Sequence, residues 1–369
     1  MSATLIIYIA LLGYIYFTIF FANHTDLQIQ HLTSHEHTDT AYLAVFNNRL
    51  ALMRTLLFTG VSFIGLFIPF LLLSAFSSAN PEELASQGIN VPEFDTFTVV
   101  IGLILCFSTT FIAYSAVASK PFRMSLANRI STYNPDSWVH QTAIVFMMLL
   151  ITAQIIVFLV QGGVDAMAQS IEVQGANIGD LLFQLWLQII AAFLGVGWAI
   201  RRNWNSALHR LGLRLPTRQD WVWGVGGGIG LLGVLFAYGI ILGFIVSLFF
   251  PQQAETIEAL NRANDSIATT FSTLPLAFLL SASAAIGEEL LFRGALQPIF
   301  GNIFISIFFA LLHVQSLFSP AIILLFGISL LLGIIRNRAS TSAAIIAHFI
   351  YNFAQLILSM LVLSSTGGV

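Results

Sequence analysis

Gly287-Glu288-Glu289-Leu290-Leu291-Phe292-Arg293-Gly294 places two carboxylates and a guanidinium in a stretch, about 274–299, that is otherwise apolar enough to cross a bilayer. An ionised side chain at the centre of a membrane helix costs roughly 2.5–3.5 kcal/mol on insertion scales, so such groups face a bundle interior or a water-filled cavity. Two further polar pairs lie downstream. Phe309 and His313 are four residues apart, as are His348 and Asn352, and residues four apart share one face of a helix. Glu, Glu, Arg, His, His and Asn thus gather in neighbouring hydrophobic segments, which marks a candidate site.

The rest of the chain agrees with that setting. Hydrophobic residues make up 57% of the 369 positions and charged residues 8%, with a mean hydropathy of +0.88, against roughly 25% charged in an average soluble domain. The expected fold is all-α, a polytopic membrane helical bundle. Spans of about 20 apolar residues, enough for a hydrocarbon core of roughly 30 Å, are read at 3–22, 52–76, 97–118, 139–161, 181–200, 221–250, 274–299, 302–318, 320–335 and 342–363, about ten in all. The net charge of −3 is uninformative, and no nucleic-acid partner is expected. Cys106 is the only cysteine, so the chain has no internal disulfide. The first residues lack a positively charged leader region, and the first apolar stretch is expected to remain as a helix.

Loop charge alternates in sign. Arg49 and Arg54 precede an acidic loop with Glu82, Glu83, Glu93 and Asp95, and Lys120, Arg123 and Arg129 follow. Asp165, Glu172 and Asp180 then precede Arg201, Arg202, Arg210, Arg214 and Arg218; Glu255, Glu258 and Asp265 precede Arg336 and Arg338. Lys and Arg mark the cytoplasmic side, so ten helices put every basic loop inside and both termini outside. Three regions are expected: an N-terminal membrane region of about five helices over 1–200, a cytoplasmic basic loop over 201–220, and a membrane domain over 221–369 that carries the polar constellation. Gly224, Gly226, Gly227, Gly228, Gly230 and Gly233 lack the Lys-Ser/Thr ending of a phosphate loop and read as close helix packing, with Gly239 and Gly243 repeating that spacing. His24, His31, His35 and His37, among Asp26, Glu36 and Asp39, read as a solvated loop without repeating ligand spacing.

The three polar pairs suggest chemistry. Glu289 and Arg293 have the spacing and order of a helical ion pair, and Glu288, about 100° away, is left as a carboxylate able to take a proton from water. At about 1.5 Å rise per residue, Glu288, His313, His348 and Asn352 come to similar depth if the chain turns at Gly301-Asn302. His313 could position the same water, while His348 and Asn352 are donors suited to a developing oxyanion. The bland alternative is an inert buried network. Glu288, His313 and His348 could also form a zinc set, although a Glu-activated water needs no metal, and the metal-free reading is preferred.

Glu288-Glu289-x-x-x-Arg293, Phe309-x-x-x-His313 and His348-x-x-x-Asn352, in this order on successive helices, resemble the three motifs of the CPBP family of intramembrane proteases, which contains the type II CAAX prenyl endopeptidase and bacterial abortive-infection homologues. The lead-in Leu208-His209-Arg210-Leu211-Gly212-Leu213-Arg214 through Asp220 resembles the basic stretch before that family's core, and the resemblance covers about 208–363. It implies an intramembrane endopeptidase acting on a membrane-embedded or lipid-attached peptide or protein. Glu288 would activate water, His313 would assist, and His348 with Asn352 would stabilise the tetrahedral intermediate. Glu289, Arg293 and Phe309 would hold the geometry. The expected location is the bacterial inner membrane, with the lipid bilayer as the other partner. The competing reading is a non-catalytic immunity or assembly factor that keeps the fold; a transporter would show broken helices in two matching halves, which are not paired here.

Overall fold

The computed structural model describes residues 3–34, 40–78, 96–161, 177–249, 269, 271–313 and 320–365. All regular structure among them is helical: α1 (Ala3–Ser34), α2 (Thr40–Ser62) running through a π-helical turn (Phe63–Phe67) into α3 (Ile68–Ser78), α4 (Thr96–Ala118), α5 (Lys120–Arg129), α6 (Trp138–Gln161), α7 (Ile178–Gly195) and α8 (Trp204–Leu211). α9 (Arg218–Phe249) and α10 (Leu274–Glu288) follow; α10 passes through a π-helical segment (Glu289–Leu296) into α11 (Gln297–Phe300), and α12 (Asn302–Leu312), α13 (Ala321–Arg338) and α14 (Thr341–Ser365) complete the chain.

Among the described residues eight helices are long and apolar enough to cross a membrane: Val45–Ser74, Thr98–Ala118, Trp138–Val160, Ile178–Gly195, Arg218–Phe249, Leu274–Phe300, Ala321–Arg338 and Thr341–Val362. The molecule is an integral membrane helical bundle. Of the two other expected spans, the first lies within α1, which runs on past it. The span expected over 302–318 is corrected: α12 has 11 residues and rises about 16 Å, half of a hydrocarbon core, before the backbone leaves the helix at His313. The span expected over 274–299 is present as Leu274–Phe300, and within it a π-helical segment re-phases the side chains from Glu289 onward. The basic stretch 201–220 contains α8 rather than only loop.

The turn expected at Gly301-Asn302 is present. Gly301 has φ +81°, a left-handed conformation that costs glycine no steric penalty, and it reverses the chain between α11 and α12. Just before it, Pro298 has no N–H to offer a carbonyl one turn back, and Arg210 supplies donors there, Nη1 to Gly294 O at 3.0 Å and Nη2 to Ala295 O at 3.4 Å.

One apolar core runs across both halves of the chain, uniting Met53, Leu57, Cys106, Ile144 and Leu159 with Phe292, Phe300, Ile305 and Phe309. α9 packs along α14, as the glycine run suggests in part. A Cβ on Gly224 would lie 2.7 Å from Ile346 Cβ, and one on Gly228 would lie 2.7 Å from Ile350 Cβ. Gly226, Gly230, Gly233, Gly239 and Gly243 meet no such neighbour among the described residues, so packing within these does not account for those five. They share a helix with the outward-facing Ile240 and Phe244, where lipid is the expected contact. The histidine loop is likewise corrected. His24 and His31 lie on α1, whose helix runs to Ser34; His35 and His37 lie outside the described residues.

Candidate functional site

α14 is fixed before its first turn. Thr341 N and Oγ1 donate to Gly212 O at 3.1 Å and Leu211 O at 2.6 Å, and Ser342 Oγ donates to Arg214 O at 2.8 Å. Below them Asp220, fully buried at the start of α9, collects Arg214 Nε and Nη2 at 3.1 and 3.0 Å, Thr217 N and Oγ1 at 2.8 and 2.6 Å, and Ser340 Oγ at 2.5 Å. The hydrogen bond to Asp220 raises the pKa of Arg214 above its ordinary value. A carboxylate so supplied with donors is stable out of water. The lead-in stretch 208–220 is thus a clamp on the first turn of α14, and His348 stands two turns beyond it.

The π-helical segment presents Glu289 and Arg293 to that helix. Glu289 Oε2 lies 3.1 Å from Arg293 Nε, and both side chains are 0% exposed. On the other edge of the same carboxylate, Glu289 Oε1 lies 2.9 Å from His348 Nδ1. Sequence reasoning paired Glu289 with Arg293 alone, and His348 is the added member; nothing in a spacing along one helix reports a partner on another. An ionised carboxylate only accepts, so Nδ1 of His348 carries the proton and Nε2 is left for other work.

Arg293 is held from three sides. Its Nη2 donates to Ser329 O and Oγ of α13 at 3.3 and 3.2 Å. The Phe309 ring centroid lies 5.3 Å from its Cζ, within cation–π range. Nη1 and Nε have no hydrogen-bond partner among the described residues, so ring and ion pair replace two hydrogen bonds. Phe309 in turn meets Phe292 edge-on at 5.3 Å. The Phe309 carbonyl receives His313 Nδ1 at 2.9 Å, and the two rings lie 4.6 Å apart. His313, like His348, is therefore anchored through Nδ1, with no Nε2 hydrogen bond among the described residues. The next helical turn of α13 is stitched to the same hairpin, Gln297 Nε2 donating to Gly333 O and Asn337 Oδ1, each at 3.1 Å.

Glu288 is partly exposed and makes no hydrogen bond or ion pair among the described residues, yet it acts electrostatically on His348 and Arg293. Asn352 lies one turn beyond His348 on α14, partly exposed and without a bonded partner among the described residues. The arrangement therefore has a bonded frame, Glu289, Arg293, His348 and Phe309, and two polar side chains with nothing to hold, Glu288 and Asn352. No three His, Cys, Asp or Glu side chains come together in a set that could hold a metal ion among the described residues, and the Glu288, His313 and His348 set of the zinc alternative is not assembled as ligands.

Sequence reasoning missed Ser329, Gln297 and Gln188. Gln188 of α7 packs its carboxamide against Gly287, where a Cβ would collide with it, and Gly294 gives equal room to the Leu211 carbonyl, 3.0 Å from where a Cβ would stand. The glycines flanking the charged run were the available signal: both mark backbone approached by another element.

Residues 270–354 match the family model described as type II CAAX prenyl endopeptidase Rce1-like. No curated protein and no solved structure matches the chain.

Proposed function

We propose that this chain is an intramembrane endopeptidase working with a Glu288-activated water, a reading supported by the match of residues 270–354 to the family model of Rce1-like, type II CAAX prenyl endopeptidases. The observation that carries the reading is the division of labour between adjacent carboxylates. Glu289 is consumed by Arg293 and His348, whereas Glu288 is unbonded and partly exposed. A general base must be free to take a proton and reachable by water, and only Glu288 meets both conditions in this cluster.

The remaining groups take complementary parts. Attack of water on a peptide carbonyl transfers a proton to Glu288 and leaves negative charge on the carbonyl oxygen, which preorganised donors stabilise. His348, oriented by Glu289 as a base is oriented by a third group in hydrolytic triads, would offer Nε2–H from an imidazolium, and Asn352 its amide. Glu288, Glu289, Arg293 and that imidazolium then sum to zero charge, a condition suited to a low-dielectric site. His313, with Nδ1 on the Phe309 carbonyl, keeps Nε2 as an acceptor for the same water. The mechanism as proposed requires no metal. The substrate would be a membrane-embedded or lipid-attached peptide, and the membrane the bacterial inner membrane.

The test is Glu288→Gln, which keeps shape and loses basicity. Cleavage should fall by about 10²–10⁴, the contribution of a general base, while the protein accumulates and unfolds as the wild type does, and bound peptides should be recoverable from the variant by mass spectrometry. Full cleavage by this variant would remove Glu288 from the mechanism and favour a non-catalytic role for the fold.

A further inference from the structure

We propose that the concavity lined by Arg202, Asn205, Ser206, His209 and Arg210 binds the phosphate of an anionic phospholipid headgroup. The concavity has a volume of about 490 Å³ and opens at the surface beside α8. Its lining is a consequence of helix geometry. Asn205, Ser206, His209 and Arg210 stand at i, i+1, i+4 and i+5 of α8, one face, and Arg202 enters from the turn before it.

The lining holds two arginines and no carboxylate. Arg202 Nη1 donates to the Val196 carbonyl and Arg210 to those of Gly294 and Ala295, so both guanidinium groups are positioned by neutral acceptors. Neither has a carboxylate partner among the described residues. Burial, then the charges of Arg202, Arg336 and Arg201, lower the pKa of Arg210 to about 10, which leaves it cationic at neutral pH in a field of like charge. Asp26, 3.9 Å from Arg201 outside the lining, is engaged by Ser137 Oγ at 2.6 Å and Trp138 N at 2.7 Å. An anion in the concavity relieves that repulsion, and Arg with hydroxyl, amide and imidazole donors is the set that recognises phosphate oxygens.

The neighbouring side chains favour a lipid over a soluble anion. Trp204 stacks on Phe193 with centroids 5.1 Å apart, Trp198 meets Trp204 edge-on at 5.5 Å, and both tryptophans are exposed. Exposed tryptophan on a membrane protein marks headgroup depth, and a basic pocket between helices at that depth suits an acidic headgroup. The aromatic cluster would contact the glycerol and upper acyl chain while the arginines hold the phosphate.

The test uses the full chain in neutral detergent, with retained lipid read by native mass spectrometry and thermal unfolding measured beside it. Phosphatidylglycerol should be retained and should raise the unfolding temperature, phosphatidylcholine much less, and added salt should weaken the effect. Ser206→Glu puts a carboxylate at the third residue of α8, where a glutamate favours the helix start, so the variant should fold. Its phosphatidylglycerol affinity should fall about tenfold, equivalent to 1.4 kcal/mol. Equal retention of the two lipids by the wild type, or unchanged phosphatidylglycerol binding by Ser206→Glu, would overturn the proposal. Inorganic phosphate that stabilises the protein as strongly as the lipid would overturn the lipid assignment. None of these readouts depends on peptide cleavage.

Discussion

Glu289 is the residue on which the frame turns, because one buried carboxylate serves a guanidinium within its own segment and an imidazole across the bundle. Removing a partner from a buried pair is costlier than the pair is worth, since it strands the remaining charge; losses of about 3–5 kcal/mol are typical. Arg293→Ala should therefore lower the unfolding temperature as well as activity, checked by thermal melts in detergent, and unaltered melting would contradict the pairing. Arg293→Lys should recover part of the stability through its charge but not all of it, because an ammonium cannot reproduce both the Ser329 contacts and the flat approach to Phe309. At this scale the sequence was informative wherever partners share a helix. Glu289 with Arg293, and Phe309 with His313, could be read from a spacing of four; His348 on Glu289 and Ser329 on Arg293 could not, because they depend on which helices the fold brings side by side.

Element boundaries show the same division. The turn at Gly301 is written in the chain, and so is the apolar character of each span. The π-helical segment and the early end of α12 are not, since hydropathy responds to composition and both departures are changes of backbone hydrogen bonding, the first met by a tertiary contact from Arg210 to Gly294 O at 3.0 Å. The glycine run in α9 offers a controlled test of packing. Gly228 abuts Ile350 and the Ala347 carbonyl, whereas Gly230 meets nothing within 4 Å. Gly228→Leu should force α9 from α14, cost about 1–3 kcal/mol as overpacking does, and disturb His348 on the opposing helix. Gly230→Leu should leave both stability and activity near wild type. Thermal melts and cleavage measured on the pair decide it, and equal behaviour would refute the assigned faces.

For the whole molecule, charge alternation predicts that the stretch 201–220 lies in the cytoplasm. A cysteine placed at the exposed Arg218 should react with an impermeant thiol reagent only when that reagent has access to the cytoplasmic face; the native Cys106 is 0% exposed and should stay silent. Labelling from the opposite face would invert the topology. The clamp on α14 also bears on how the protein is made. Leu211 and Gly212 accept bonds from Thr341, and Asp220 from Ser340, residues some 120 to 130 positions later. A nascent chain halted between His313 and Ser340 already contains Glu288, Glu289, Arg293 and His313 but has no α14 to brace against the clamp, and His348 has not been synthesised. On the chemistry proposed, a peptide hydrolase built this way stays dormant throughout its own translation and insertion, and becomes competent only when its final helix enters the membrane and locks onto the segment that preceded it.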